Sequence, residues 1–359
     1  MSSALPRHPR STYPGRRAAI QVQFTWIFAL IAGAVILLFF FKLIGSVTET
    51  SEDTLCSEVA RDLDAIFVGA GTSIGTTNNL SLPGLDMTFD CTGYSLPECS
   101  SPYGGTIVFS PARLEGSAVV SHAAGLDIPY RVAPLLYLSS PDYRYIFIGD
   151  AAAVRGLAAA MPKPLLTETL GLSAASSLTD MNSPAVRVVV SQGPAAFTLD
   201  LGELNSLSEE VVSVVGIQQT NADLPVTVTF FRRDESSPTP YTYVLEKSFQ
   251  MASQSLVLGA VLSGDATLFE CTLAKALERS LYVTEEVLSR TMELKQSNKL
   301  SPSCQALSQY KNAVIELTTI HNELSAYIES GSPGTLSARG KTLSGYNDAL
   351  RLYSCPTLY

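Results

Sequence analysis

The sequence is short of charge and short of histidine. Only 16% of its 359 residues are charged, against about 25% for an ordinary soluble domain, and 46% are hydrophobic. This combination excludes an intrinsically disordered chain, which needs low hydrophobicity and high charge. The net charge of −9 argues against a nucleic-acid partner, because such proteins present a basic face.

Metal and cofactor patterns are also missing. The three histidines are isolated, and the six cysteines lack the short C-x₂₋₄-C spacing of structural zinc sites. The segment 68–75 contains Gly69, Gly71 and Gly75, but a predicted helix precedes it where a dinucleotide site needs a strand. We therefore predict no cofactor and no metal site.

The N-terminal part of the sequence has no acidic residue. Residues 1–45 contain five basic residues and no acidic ones, which leaves a net charge of −14 for residues 46–359. An uncharged run of 18 residues, 24–41, follows four arginines and is long enough to span a bilayer. We predict a basic cytoplasmic N-terminus (1–17), a transmembrane helix (18–45) and an extracytoplasmic remainder (46–359). A cleaved signal peptide is the alternative.

All six cysteines follow the predicted span, on the side where disulfides persist. Six cysteines allow fifteen pairings. The segment between Cys91 and Cys99 contains Gly and Pro and can close on itself. Cys304 and Cys355 flank two predicted helices joined near 331–334, so an antiparallel hairpin would bring them together. Elimination then pairs Cys56 with Cys271. Free buried cysteines are the alternative.

The pattern along the chain predicts an α+β fold. A membrane-proximal helix and loop (46–84) precede two mixed α+β regions (85–180 and 184–265), and an antiparallel helical bundle (266–359) follows. Within the second region we predict a helix over 204–215 and a strand over 256–261. The acidic pair Glu209 and Glu210 falls on that predicted helix and indicates a solvated face.

No catalytic constellation emerges. The spacing G-x-S-x-G around Ser73 imitates a nucleophile elbow, but a helix-terminating glycine loop explains it equally. A serine hydrolase would need His122 or His321 as its base. Asn79 begins an N-glycosylation sequon in a predicted loop. We assign no catalytic residue.

The junction of the basic N-terminus and the apolar run carries one resemblance. Arg17, Ala18 and Ala19 lead through two glutamines into the apolar segment, which resembles archaeal type IV pilin-like proteins with a class III signal peptide. The resemblance implies cleavage near these three residues and retention of the apolar helix as an anchor or filament core. The ectodomain is similar to archaeal surface proteins without an assigned activity.

The expected function is a structural or adhesive, single-pass envelope protein. Its expected partners are the lipid bilayer and either copies of itself, through the transmembrane helix, or other envelope proteins. A membrane-anchored receptor or binding module is the alternative, and an extracytoplasmic hydrolase ranks third. In the binding module the exposed loops 69–84 and 232–240 would make the contacts, whereas the hydrolase needs a large concave pocket with convergent acids or a histidine–serine pair.

Overall fold

A computed structural model describes residues 30–38, 42, 60–63, 65–66, 69, 73–97, 99–179, 182–219, 225–234, 236, 240–296 and 300–359. The chain divides into two compact units, Met1–Val59 and Ala60–Tyr359. Most of the predicted span lies outside the described residues, as do Arg17, Ala18, Ala19 and Cys56. In the first unit, residues 30–38 are helical. Of the helices in the described part of the chain, none is both long and apolar enough to cross a membrane.

The second unit contains a six-stranded sheet in the order β3-β2-β1-β5-β6-β4. All neighbouring strands are antiparallel except β4 and β6. The strands are β1 (Thr77–Phe89), β2 (Gly93–Leu96), β3 (Cys99–Pro102), β4 (Ile107–Phe109), β5 (Arg113–Asp127) and β6 (Arg131–Ser139).

A seven-stranded sheet follows, in the order β10-β13-β12-β11-β9-β7-β8. Its half from β8 to β11 is parallel, and its half from β11 to β10 is antiparallel. Helix α1 (Ala152–Ala160) connects β7 to β8, which are parallel neighbours at one edge of this sheet. The strands are β7 (Arg144–Ile148), β8 (Leu166–Leu170), β9 (Val186–Val190), β10 (Phe197–Leu199), β11 (Val212–Gln218), β12 (Val226–Asp234) and β13 (Tyr241–Met251).

Five further helices follow β13 in the described part of the chain. They are α2 (Gln254–Leu262), α3 (Ala266–Gln296), α4 (Pro302–Gln305), α5 (Ser308–Ser330) and α6 (Leu336–Leu352). The predicted α+β class and the C-terminal helices are confirmed. The apolar stripe of α5 includes Leu317, Ile320 and Leu324, all fully buried, which is why periodicity alone located this helix.

Two predicted elements were wrong. Residues 256–261 form most of α2 rather than a strand. The prediction failed because every residue from Leu256 to Leu262 is buried, and a helix that is apolar on all sides has no helical period in its sequence. Residues 204–215 form a short 3₁₀ turn (Gly202–Ser206) and the start of β11. The β-branched residues of β11 favour a strand.

The boundary between the sheets also differs from the predicted one. The first sheet ends at Ser139 and the second begins at Arg144, so the predicted region 85–180 contributes strands to both. The polar turn between them has the composition of a hairpin turn, but it passes the chain to another sheet. The predicted loop 69–84 contains the start of β1, whose polar sequence concealed the strand.

The disulfides confirm one predicted pairing and overturn two. Cys304 is bonded to Cys355, as an antiparallel pairing of α5 and α6 requires. Cys91 is bonded to Cys271, not to Cys99, and Cys271 is therefore not available to Cys56. The reason is register: Cys99 lies opposite Leu96 across a tight turn. Cys91 precedes β2 and so lies at the other end of that strand.

Candidate functional site

The residues singled out in the sequence do not form one site. Ser73 and Asn79 are exposed, and Asn79 lies on β1 rather than in a loop. His122 shares a hydrogen bond of 2.8 Å with the Thr77 hydroxyl, and burial lowers its pKa. His321 lies 3.1 Å from Glu285. Neither histidine bonds to a serine within the described chain, so the geometry brings no serine–histidine pair together.

A cavity of about 580 Å³ opens where three parts of the second unit meet. Its floor is formed by the amino ends of the parallel strands β7, β9 and β11. One wall is the connection from β4 to β5, which contributes Pro111 and Arg113. The other wall is the turn between α2 and α3, which contributes Leu262 and Asp265. Its volume is within the range of small-molecule sites.

Arg187, in β9, is one of two buried cations of this cavity, and Arg144 is the other. Its neighbours Val186 and Val188 pack into the hydrophobic cluster on one face of the sheet, while Val189 packs into the cluster on the other. Because side chains alternate along a strand, Arg187 takes the same face as Val189. Only 7% of Arg187 is exposed.

The guanidinium of Arg187 has one described hydrogen bond, which it donates to the main-chain oxygen of Ser263. Ser263 is the C-cap of α2, so the cation lies at the negative end of that helix dipole. A guanidinium has five N–H donors, and this bond uses one. None of the described ion pairs includes Arg187.

Burial lowers the pKa of Arg187 to about 10, and the electrostatic interactions with Asp265 and Glu246 oppose that shift. The side chain is therefore still a cation at neutral pH. Tyr145, beside it in the β7–β9 register, has a hydroxyl 2.6 Å from that of Ser139. Burial raises the pKa of Tyr145 to about 12, so this neighbour is neutral.

The other two arginines of the cavity have carboxylate partners. Arg144 is 2.6 Å from Glu168 and also donates to the Thr179 carbonyl. Arg113 is 2.9 Å from Asp86 and 2.8 Å from Glu115. Among the described residues lining the cavity, Arg187 is thus the arginine without a carboxylate at contact distance.

Glu209 and Glu210 also line the cavity, in the turn before β11 and not on a helix. One carboxylate oxygen of Glu209 is buried and has no hydrogen-bond partner in the described part of the chain. Within the described residues no group of three or more His, Cys, Asp or Glu side chains is arranged to hold a metal ion.

Sequence reasoning missed Arg187. The available signal was a single arginine within Val186–Val190, a strand otherwise made of valine. A strand buried on both faces has a continuous apolar sequence, so a charge inside it requires a partner or a function. Comparisons with family models, with curated proteins and with solved structures find no match for this chain.

Proposed function

We propose that this protein is a membrane-anchored binding module whose extracytoplasmic part holds a small ligand by its carboxylate group at Arg187. The observation that carries the proposal is a buried arginine with no carboxylate partner among the described residues, at the floor of a 580 Å³ cavity. A buried charge without a counter-ion is costly, and a carboxylate ligand supplies that counter-ion with two parallel hydrogen bonds.

The N-terminal sequence supports the membrane anchor. The run 24–41 is uncharged, and the arginines precede it, which is the positive-inside arrangement. In the helical stretch 30–38, six large apolar side chains are between 56 and 72% exposed, namely Leu30, Ile31, Val35, Ile36, Leu37 and Leu38. They surround the helix on all sides, and a helix that is apolar all round needs an apolar environment.

The disulfides support the extracytoplasmic placement. Cys91–Cys271 and Cys304–Cys355 join residues 180 and 51 positions apart, and such structural bonds persist mainly in oxidising compartments. The acidic residues all follow the apolar run, in keeping with an outer domain.

A structural or adhesive, pilin-like role is the second candidate. The exposed apolar helix favours it, because a second copy of the helix would bury the same surface as lipid. A Cβ placed on Gly33 would meet nothing within 4 Å, and small residues allow close helix approach. Intact mass separates the candidates: pilin-type processing removes residues 1 to about 18, whereas an anchor keeps them.

Thermal unfolding of the full chain in detergent tests the binding function. A panel of small carboxylates and inorganic phosphate is added to wild type and to the Arg187→Met variant. At least one carboxylate should raise the midpoint of wild type only, because binding to the folded state stabilises it. Arg155→Gln, at an exposed arginine of α1, is the matched control and should respond like wild type. Equal responses of all three proteins would contradict the proposal.

A further inference from the structure

The cavity lining carries information about the ligand's charge as well as its presence. Three arginines and four acidic residues line it. Arg144 is neutralised by Glu168, and Arg113 is already shared between Asp86 and Glu115. The cavity lining then has one further cation, Arg187, and three further carboxylates, which are those of Glu209, Glu210 and Asp265. A phosphate or another polyanion would be attracted by one charge and repelled by three.

Asp265 is the carboxylate that acts on Arg187. The two side chains attract each other electrostatically but form no described ion pair. One oxygen of Asp265 accepts the Leu268 N–H at 2.7 Å and caps α3, which holds the carboxylate in place at the cavity wall. A fixed anion and a buried cation therefore line the same cavity.

Glu209 and Glu210 add two further carboxylates to the cavity lining. An ammonium group has three N–H donors and would pair with carboxylates on this side of the cavity. The aliphatic part of a ligand would contact the apolar lining residues, which include Ala112, Ala185 and Leu262.

We propose that the ligand is a zwitterion, a free amino acid or a short peptide, with its carboxylate on Arg187 and its ammonium on the acidic side of the cavity. This inference rests on the proposed binding function and names the class of ligand. It predicts that both charges of the ligand contribute to affinity, because each meets an opposite charge that forms no ion pair among the described residues.

Calorimetric titration of the full chain in detergent, with a matched set of probes, tests it. Leucine and leucyl-leucine carry both charges. The hydroxy-acid analogue of leucine lacks the ammonium, and isoamylamine lacks the carboxylate. One of the two zwitterions should bind roughly 10- to 100-fold more tightly than either single-charge analogue and than inorganic phosphate, which is the range expected for one lost charge-assisted hydrogen-bonded contact. Comparison of leucine with leucyl-leucine separates an amino acid from a peptide.

Two variants keep the test decisive. Arg187→Met should abolish the preference for carboxylates. Asp265→Asn keeps an oxygen that can cap α3 but removes the charge, so it should weaken binding of the zwitterion and leave the hydroxy acid unaffected. Arg155→Gln should change neither.

The outcomes separate this inference from the function on which it rests. If the hydroxy acid binds as tightly as leucine, or phosphate binds best, the ligand is an anion and the zwitterion proposal is wrong while the binding function stands. If no probe binds, and Arg187→Met matches wild type, both proposals fail.

Discussion

Four tyrosines, Tyr130, Tyr143, Tyr145 and Tyr243, have pKa values that burial raises to about 12. A phenol in the unfolded chain ionises near pH 10, so above that pH the unfolded state releases protons that the fold retains. These groups leave stability unchanged below pH 10. Each then removes about 1.4 kcal/mol per pH unit until its folded pKa is reached.

Arg187 acts in the opposite direction in the same window, because its pKa is lowered to about 10 in the fold. Four tyrosines outweigh one arginine, and burial raises the pKa of Tyr103, Tyr137 and Tyr327 as well. The free energy of unfolding should therefore fall by at least about 4 kcal/mol per pH unit from pH 10 upward. Urea titrations at several alkaline pH values measure this slope. In Tyr243→Phe the fall should be shallower by about 1.4 kcal/mol per pH unit. A flat profile would show that these hydroxyls ionise within the fold.

The cysteines give a second residue-scale prediction. Cys91 is bonded to Cys271, although sequence reasoning paired it with Cys99. A non-reducing peptide map of the oxidised protein should therefore contain a linked pair of peptides bearing Cys91 and Cys271. Recovery of Cys91 linked to Cys99 would refute this pairing.

At the scale of elements, the α5–α6 hairpin is joined by a charged cluster. Arg339 on α6 lies 2.6 Å from Glu323 and 3.0 Å from Glu316 on α5. Glu323 also accepts the N–H and hydroxyl of Thr335 at the start of α6. Glu323→Gln should lower the free energy of unfolding by roughly 1–2 kcal/mol, measured by urea titration. Glu329→Gln, at an exposed position of α5, should change it by less than about 0.5 kcal/mol.

The same hairpin is closed by Cys304–Cys355, across 51 residues. A loop of that length gives a chain-entropy contribution of about 4 kcal/mol, and measured effects are typically about 2–4 kcal/mol. The double variant Cys304→Ser/Cys355→Ser should lose stability in that range in urea. If α5 and α6 were held by apolar packing and the ion pairs alone, the double variant would match wild type.

The elements differ in how far the sequence predicts them. Amphipathic helices such as α5 and α6 follow from apolar spacing, and their antiparallel pairing follows from two cysteines. Helix α2 does not, because a segment buried on all sides has no period, and only its packing between the sheets and helices decides its conformation. The Cys91–Cys271 bond depends on a hairpin register that composition does not encode.

For the whole molecule, the cavity is the part that sequence could not predict. Arg113, Arg187 and Asp265 come from a strand of the first sheet, a strand of the second and a helix turn, and only the tertiary fold brings them to one cavity. A valine strand with one arginine indicates an unusual position, but not its neighbours. The polarity of the chain, by contrast, is visible in the sequence alone.

The proposed topology follows from that polarity: a cytoplasmic N-terminus, a bilayer span and an outer domain that carries the cavity. Labelling of intact cells with a membrane-impermeant maleimide is its direct test. Lys311→Cys places a thiol at an exposed position of α5, and Ser3→Cys places one in the basic N-terminus. We expect Lys311→Cys to be labelled in intact cells and Ser3→Cys only after permeabilisation. Labelling of Ser3→Cys alone in intact cells, or of neither variant before permeabilisation, would overturn the proposed topology.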